Sequence, residues 1–331
     1  MNKHKALSLI SGGLDSLLAA KVLMEQGLQL EGVHFDIGFN QNGTYGAEKV
    51  AAILGIKLHI VDVVDEFKQV MQKPKHGFGA HINPCLDCKI FMVKVALKWA
   101  QEHGFDFVAT GEVVGQRPKS QRAETLPIVA QESGAYDLLL RPLCAKLLPP
   151  TKPEREGWVD RTKLLAISGR SRKEQLALAK KFGFTEHPSP AGGCLLTEEV
   201  FSRRMQDLWR HRKEVNYSRD DLALLRIGRH LRINDKCKII VGRNHEDNLE
   251  LEKYGKDHVY LITLSHPGPL VLIDGEVDAS VLQTIASIAA HFSKGKFENQ
   301  VILQVCNYPG MTEIRVRPML HEECSQIIRH V

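Results

Sequence analysis

Six residues near the N-terminus, Ser11-Gly12-Gly13-Leu14-Asp15-Ser16, have the types and order needed to hold a phosphate chain. Two adjacent glycines let the backbone turn tightly and aim successive N–H groups at an anion, and a following helix adds its positive dipole end. The Ser11 and Ser16 hydroxyls can donate further bonds to phosphate oxygens. Asp15 would repel phosphate on its own, so its expected role is to hold Mg²⁺ against it. Neither G-x-x-x-x-G-K-[ST] nor G-x-G-x-x-G occurs, which excludes the two commonest glycine-rich nucleotide motifs. The competing reading is a plain glycine turn in which Asp15 only caps the helix.

A second constellation consists of cysteines. Seven is an odd number, and one tight pair, Cys85-x-x-Cys88, points to metal or redox chemistry rather than to structural disulfides. The pair stands at a turn entering a helix, where the helix end lowers a thiol pKa. Cys194, in Pro190-Ala191-Gly192-Gly193-Cys194, is the third candidate, its sulfur presented by a glycine loop. Three ligands would leave one iron of a [4Fe–4S] cluster open for substrate or sulfide. Alternatively Cys194 carries a persulfide as nucleophile and Cys88 resolves it as a disulfide. The remaining alternative is a chance pair of thiols plus one loop cysteine. Cys144, Cys237, Cys306 and Cys324 sit in apolar or strand-like contexts and read as packing residues.

These groups need a frame to position them. Through about residue 110, short apolar runs (6–10, 30–35, 58–63, 107–110) alternate with helical patterns (17–26, 46–54, 91–103), three of them closed by Gly27, Gly55 and Gly104. Such alternation predicts βαβ units and a doubly wound parallel sheet, with ligands bound at the carboxyl ends of its strands. A further helix is expected at 172–182. Residues 203–215 are dense in Arg, His and Lys and read as a link between domains. From about Arg226 the texture changes to strand-like runs (231–233, 237–241, 258–264, 270–273, 301–305, 313–316) and one helix at 279–292, an α+β domain. The expected organisation is a catalytic domain over 1–202, a basic linker over 203–225 and a second domain over 226–331. At 331 residues, 43% apolar and 25% charged, the chain is long enough for two globular cores. No apolar run is long enough to span a membrane, and the N-terminal apolar stretch is too short for a signal-peptide core, so a cytoplasmic location is expected. A net charge of +5 permits an RNA partner without requiring one.

The hexapeptide is similar to the PP-loop signature of the ATP pyrophosphatases, an adenine-nucleotide alpha-hydrolase-like fold. The resemblance implies ATP and Mg²⁺ as ligands and cleavage between the α- and β-phosphates, with Phe35, Asp36 and Ile37 against the adenine. Cys85-x-x-Cys88-Lys89-x-x-Met92, followed by Ala109-Thr110-Gly111-Glu112-Val113-Val114-Gly115-Gln116-Arg117-Pro118-Lys119-Ser120-Gln121, resembles the 4-thiouridine synthetases. Asn83-Pro84-Cys85-x-x-Cys88 is also similar to the 2-thiouridylases. By that resemblance the enzyme is a tRNA sulfurtransferase that adenylates a uridine carbonyl oxygen and lets sulfur displace AMP, using a sulfur donor (sulfide or a persulfide-carrying protein). Gly111 and Gln116 would then lie near the nucleotide or the target base, and Cys194 and Cys88 would be catalytic. The 4-thiouridine synthetases carry RNA-binding domains ahead of this domain, so here RNA contact is expected from the C-terminal part. There, Arg226-Ile227-Gly228-Arg229-His230-Leu231-Arg232 and Lys238-Ile239-Ile240-Val241-Gly242-Arg243-Asn244-His245-Glu246-Asp247-Asn248 resemble the NFACT-type RNA-binding domain. Few aromatics lie among these basic residues, so base stacking is the weaker expectation. Two other functions fit the same residues: a ligase or amidotransferase activating a small carboxylate, and a non-turnover RNA-binding or desulfurising protein.

Overall fold

The computed structural model describes residues 4–41, 43–184, 193–327 and 329–331. The chain divides into two compact units, Met1–Glu198 and Glu199–Val331. The first runs β1 (Lys5–Leu9), α1 (Leu14–Met24), β2 (Gln29–Asp36), α2 (Tyr45–Leu54), β3 (Leu58–Asp62), α3 (Val64–Gln72), α4 (Cys85–Glu102), β4 (Phe107–Ala109), α5 (Thr125–Glu132), β5 (Leu139–Leu140), α6 (Lys152–Arg155) and α7 (Lys173–Lys181). Its sheet has the order β3-β2-β1-β4-β5, with every pair parallel. The order reverses at β1, whose two neighbours are β2 and β4. The crevice between the carboxyl ends of β1 and β4 is therefore the switch point at which such sheets receive ligands.

Apolar positions on both faces of the strands explain the doubly wound form. On one face Ala6, Ile10 and Phe107 pack with Leu14, Leu17 and Leu18 of α1, Val50 of α2 and Ala179 of α7. On the other, α4 lies against β1 and β4 and beside α3 and α5. Gly55 ends α2 in the left-handed conformation, φ 65°, its N–H bonded back to Ala51 and Ala52. Helix α4 opens at Cys85 rather than at Phe91. Pro84 precedes it, with a ring that suits a helix start, and the Cys88 N–H bonds to the Pro84 carbonyl at 2.8 Å. Both cysteines of the pair thus stand in the first helical turn.

The second unit runs α8 (Glu199–Arg212), α9 (Arg219–Leu224), β6 (Arg229–Asn234), β7 (Cys237–Val241), α10 (His245–Glu252), β8 (Val259–Thr263), β9 (Leu270–Gly275), α11 (Ala279–His291), β10 (Val301–Cys306), β11 (Glu313–Val316), α12 (His321–Ile327) and β12 (Arg329–His330). Its seven strands form an antiparallel sheet in the order β11-β10-β8-β9-β7-β6-β12. Leu282, Ile285 and Ala289 of α11 fill one face, while Leu224 and Leu251 pack with Ile240 and Leu272 on the other. Among the described residues no helix is long and apolar enough to cross a membrane.

The segment read as a basic linker, 203–225, is instead folded into this unit. Phe201, Met205 and Leu208 give α8 an apolar stripe at helical spacing, and all three are buried. The same helix supplies Asp207, which accepts from Arg232 Nε at 3.3 Å and from its Nη2, with both side chains at most one-tenth exposed. Asp207→Ala leaves a buried guanidinium unpaired. It should destabilise the second unit by about 3 kcal/mol, seen as an earlier denaturant midpoint for that unit alone. An unchanged midpoint would mean that α8 is a tether rather than a structural element.

Candidate active site

Of the residues expected at the phosphate loop, Gly12 and Gly13 are buried, Ser16 is 3% exposed, Asp15 is half-buried and Ser11 is exposed. Ser16 Oγ donates to the Gly13 carbonyl at 2.8 Å and accepts from the Ser11 N–H at 3.3 Å, which closes the turn on itself. Gly13 precedes α1 with no side-chain cap, so the first-turn N–H groups have no intrahelical acceptor. Gly12 has φ 81°, and a Cβ there would lie 2.6 Å from the Gly46 carbonyl carbon at the start of α2.

The loop after β4 is pressed onto this turn. A Cβ on Gly111 would lie 2.6 Å from both the Asp15 carbonyl carbon and the Ser16 nitrogen, so backbone meets backbone at the switch point. Five residues on, Gln116 Nε2 donates to Asp15 Oδ2 at 2.5 Å, and Gln116 Oε1 accepts from Gln175 Nε2 at 3.1 Å. Gln175, from α7, is fully buried. This chain of amides fixes one oxygen of Asp15 and leaves the other, Oδ1, buried without a hydrogen-bond partner. An orphaned carboxylate oxygen beside uncapped helix N–H groups fits a Mg²⁺-bound polyphosphate.

The same loop reaches the cysteines. Cys85 Sγ donates to Ser120 Oγ at 3.4 Å, and Ser120 is fully buried. Between the two cysteines, Asp87 accepts from the Lys75 and His76 N–H groups at 2.9 and 3.0 Å, fastening the preceding loop to α4. Cys194 is tied to the segment after β2: residues 40 and 194 form an antiparallel bridge, and the Leu195 N–H bonds to the Phe39 carbonyl at 3.1 Å. Pro190, Ala191 and Gly192 lie outside the described residues. The three thiols stand close enough to perturb one another. Burial pushes Cys88 up to about 12, with Lys89 pulling back and the Cys194 and Cys85 thiols pushing further. Burial likewise pushes Cys194 up to about 11, against a backbone bond at Leu196, with Cys85 adding to the rise and Arg117 opposing it.

Among the described residues no three His, Cys, Asp or Glu side chains converge as ligands of a single ion. A cluster asks for less convergence, since each thiolate takes a different corner of the cubane. The raised Cys88 and Cys194 thiols would become thiolates on binding a cationic centre. Cys85, Cys88 and Cys194 are the residues that would hold such a cluster.

Residues not singled out by sequence complete the site. Glu112, buried, accepts from Arg141 Nε at 3.0 Å and Thr110 Oγ1 at 3.1 Å, and Arg141 also donates to the Leu126 carbonyl. Burial alone would raise this carboxyl; Arg141, then Lys89, hold it below its ordinary value. His34 donates from Nδ1 to the Ile10 carbonyl at 2.8 Å, and its Nε2 meets Asn40 Nδ2 at 3.3 Å, linking the end of β1 to the strand bridge at Cys194. Thr110 and Glu112 stand in the 109–121 motif, whereas His34 within β2 and Arg141 after β5 carry no sequence signal of their own. One expectation changes: the Phe35 ring is 1% exposed, because β2 is central enough to be covered on both faces. The Asp36 carboxylate accepts from the Gly38 N–H.

In the second unit, most of the basic residues expected to face phosphate are used internally. His230 is buried, Arg232 is paired with Asp207, and Lys238 is paired with Asp274 at 3.0 Å. Arg212 forms two 2.6 Å bonds to Asp221. Arg204 donates to the Leu225 and Gly228 carbonyls, and burial together with nearby Arg243 and Arg203 brings it down to about 10. Arg229, Arg243, Lys294 and Lys296 remain exposed around a cavity of about 1240 Å³.

Residues 1–146 match the family model described as thiamine biosynthesis protein (ThiI), and residues 228–328 match the NFACT protein RNA binding domain. The first unit is thus similar to the ThiI family over residues 1–146. Its relatives include the tRNA-specific 2-thiouridylase MnmA of Sulfurimonas denitrificans, 36% identical over 118 residues, and that of Syntrophotalea carbinolica, 38% identical over 122. Each alignment covers 33% of this chain; they cover 35% and 34% of those proteins, so the chain spans about a third of the length of the relatives it matches. Among solved structures, a predicted subunit of tRNA methyltransferase from Methanocaldococcus jannaschii aligns over 66% of this chain and 91% of its own, with 16% identity and a TM-score of 0.39.

The Gly111 contact can be tested apart from simple backbone strain. Gly111→Ala should abolish ATP binding by the PP-loop domain in calorimetry and lower its melting temperature. Gly134→Ala, at φ 76° with nothing within 4 Å, should cost about 1 kcal/mol of strain and leave ATP binding intact. Equal ATP affinity in both variants would refute the packed-loop account of the site.

Proposed function

We propose that the chain is an ATP-dependent tRNA sulfurtransferase that forms AMP and pyrophosphate. The uridine carbonyl oxygen attacks the α-phosphorus of ATP and pyrophosphate leaves. A sulfur nucleophile then attacks the same ring carbon, and the C–O bond breaks to release AMP. The phosphate-loop N–H groups are placed to stabilise the departing pyrophosphate, and Asp15, through its unpartnered Oδ1, would hold a Mg²⁺ that supplies further positive charge. Gln116, held by Gln175, keeps that carboxylate aimed. Cys85, Cys88 and Cys194 would hold a [4Fe–4S] cluster, which when bound would supply the sulfur-delivery chemistry. The second unit binds the tRNA.

The observation that carries this reading is the single loop over 110–121, which contacts the phosphate turn through Gly111 and Gln116 and the C-x-x-C helix through Ser120. A small-carboxylate ligase would need the phosphate turn but not a loop that also reaches Cys85. The matches to 2-thiouridylases and to an RNA-binding domain support the same reading.

Anaerobic purification of wild type and Cys194→Ala, with iron and labile sulfide counted, tests the cluster. About four irons per chain in the wild type, lost in the variant, is the expected result. Pyrophosphate release from ATP should rise with added tRNA and not with ammonia plus a carboxylate. An iron-free wild type with intact thiolation would leave Cys194 as a persulfide carrier and Cys88 as its resolving thiol. Turnover driven by ammonia would replace the sulfurtransferase reading with the ligase.

A further inference from the structure

The cavity of the second unit is walled by basic side chains and no acidic one, although the chain carries nearly as many acids as bases. Arg229, Arg243, Lys294 and Lys296 line it. Arg243 is held in place by Asp247 from behind, through Nε at 2.7 Å and Nη2 at 3.2 Å. Arg229 lies over the Phe292 ring, 5.4 Å from its centre. Each guanidinium is thus oriented by a partner rather than left to sample solvent. Tight turns shape the floor: a Cβ on Gly268 would lie 2.5 Å from Thr263 Oγ1, and Asn248 accepts from the Leu270 N–H at 3.0 Å.

On the cavity wall stands Phe297, 88% exposed. Scattered exposed apolar residues need no explanation, but this one lines the same cavity as four cations, and the Lys296 ammonium sits 4.8 Å from its ring centre. A ring kept in water beside phosphate-binding groups offers the two contacts that an unpaired nucleotide needs, a flat face for the base and cations for the phosphates. A duplex hides its base faces and cannot use the ring. An acidic peptide would use the cations but gain nothing specific from a flat aromatic face.

We propose that this cavity grips an unpaired stretch of RNA, stacking a base on Phe297 and holding the flanking phosphates with Arg229, Arg243 and Lys294. The inference rests on the reading of the second unit as an RNA binder and specifies which part of a tRNA it takes: a single-stranded segment rather than a helical stem. Because stacking tolerates any base, the contact sets affinity and reach, not sequence.

The test is fluorescence anisotropy on the full chain, with labelled oligoadenylate and a blunt RNA duplex as probes, polyglutamate as competitor and salt varied. Phe297→Ala should weaken single-strand binding about tenfold and leave duplex binding unchanged, and Phe297→Tyr should restore it. Arg229→Ala should weaken both probes and reduce the salt slope by about one. Phe297→Ala binding oligoadenylate as wild type does, while Arg229→Ala still weakens it, would overturn the stacking proposal alone. Wild type that binds neither probe, or binds them with no loss in Arg229→Ala and Lys294→Ala, would remove the RNA-binding reading beneath it. Polyglutamate displacing oligoadenylate at equal charge concentration would assign the cavity to acidic proteins instead.

Discussion

A contact with no room for a methyl group organises the first unit. Gly111 meets the Asp15 and Ser16 backbone at a distance that no Cβ could share. Two strand-end loops that are remote in sequence are thereby pinned at the one crevice where the sheet order reverses. Much of the site follows from that closeness. Gln116 reaches Asp15 because the loop begins its path against the phosphate turn, and Ser120 reaches Cys85 because it continues toward α4. A loop standing a side chain further off would present the same residues with none of these contacts. Hydrogen bonds of this kind hold geometry only when the backbone beneath them cannot move.

Charge is handled differently in the two units. In the first, the Asp15 Oδ1 and Glu112 Oε1 oxygens are buried without partners, and burial raises the Cys88 and Cys194 thiols, so acceptor atoms are left for a ligand to satisfy. In the second, several cations are consumed by internal partners, and four that stay exposed line one cavity. Counting basic residues along the chain therefore overstates the surface available to a polyanion, whereas the placement of the unconsumed ones defines it.

The parallel sheet was legible because short, mostly apolar runs alternate with helical patterns, three of which are followed closely by glycines. Strand β7, Cys237–Val241, and strand β11, Glu313–Val316, have the bounds expected from their patterns. What escaped had weak or masked periodicity. The apolar stripe of α8, Phe201, Met205 and Leu208, is diluted by arginines on the solvent side, so the segment reads as a charged link. Strand β5 has two residues, too few for any alternation, and α10 has only Leu249 and Leu251 among polar neighbours. At the site, the glycines, Asp15 and the cysteines announce themselves by type. His34, Arg141 and Gln175 do not, since their roles come from partners between 24 and 59 residues away. Phe35 shows the converse failure: a residue beside a ligand site in sequence is turned by strand alternation into the core. Phe297 looked unremarkable in a lysine-rich loop until the cavity beside it was visible.

The Glu112–Arg141 pair has an evolutionary consequence. Losing either partner alone strands a buried charge, at a cost of about 3–5 kcal/mol, while exchanging both for apolar residues of similar volume can be neutral. Single steps away from the pair lead through a poorly folded intermediate, so drift at these positions is blocked although the endpoint is not. Descendants of this domain should therefore hold both residues or neither, and a lineage with only one would need a compensating cation or carboxylate, introduced beforehand, within reach of Thr110 or Leu126.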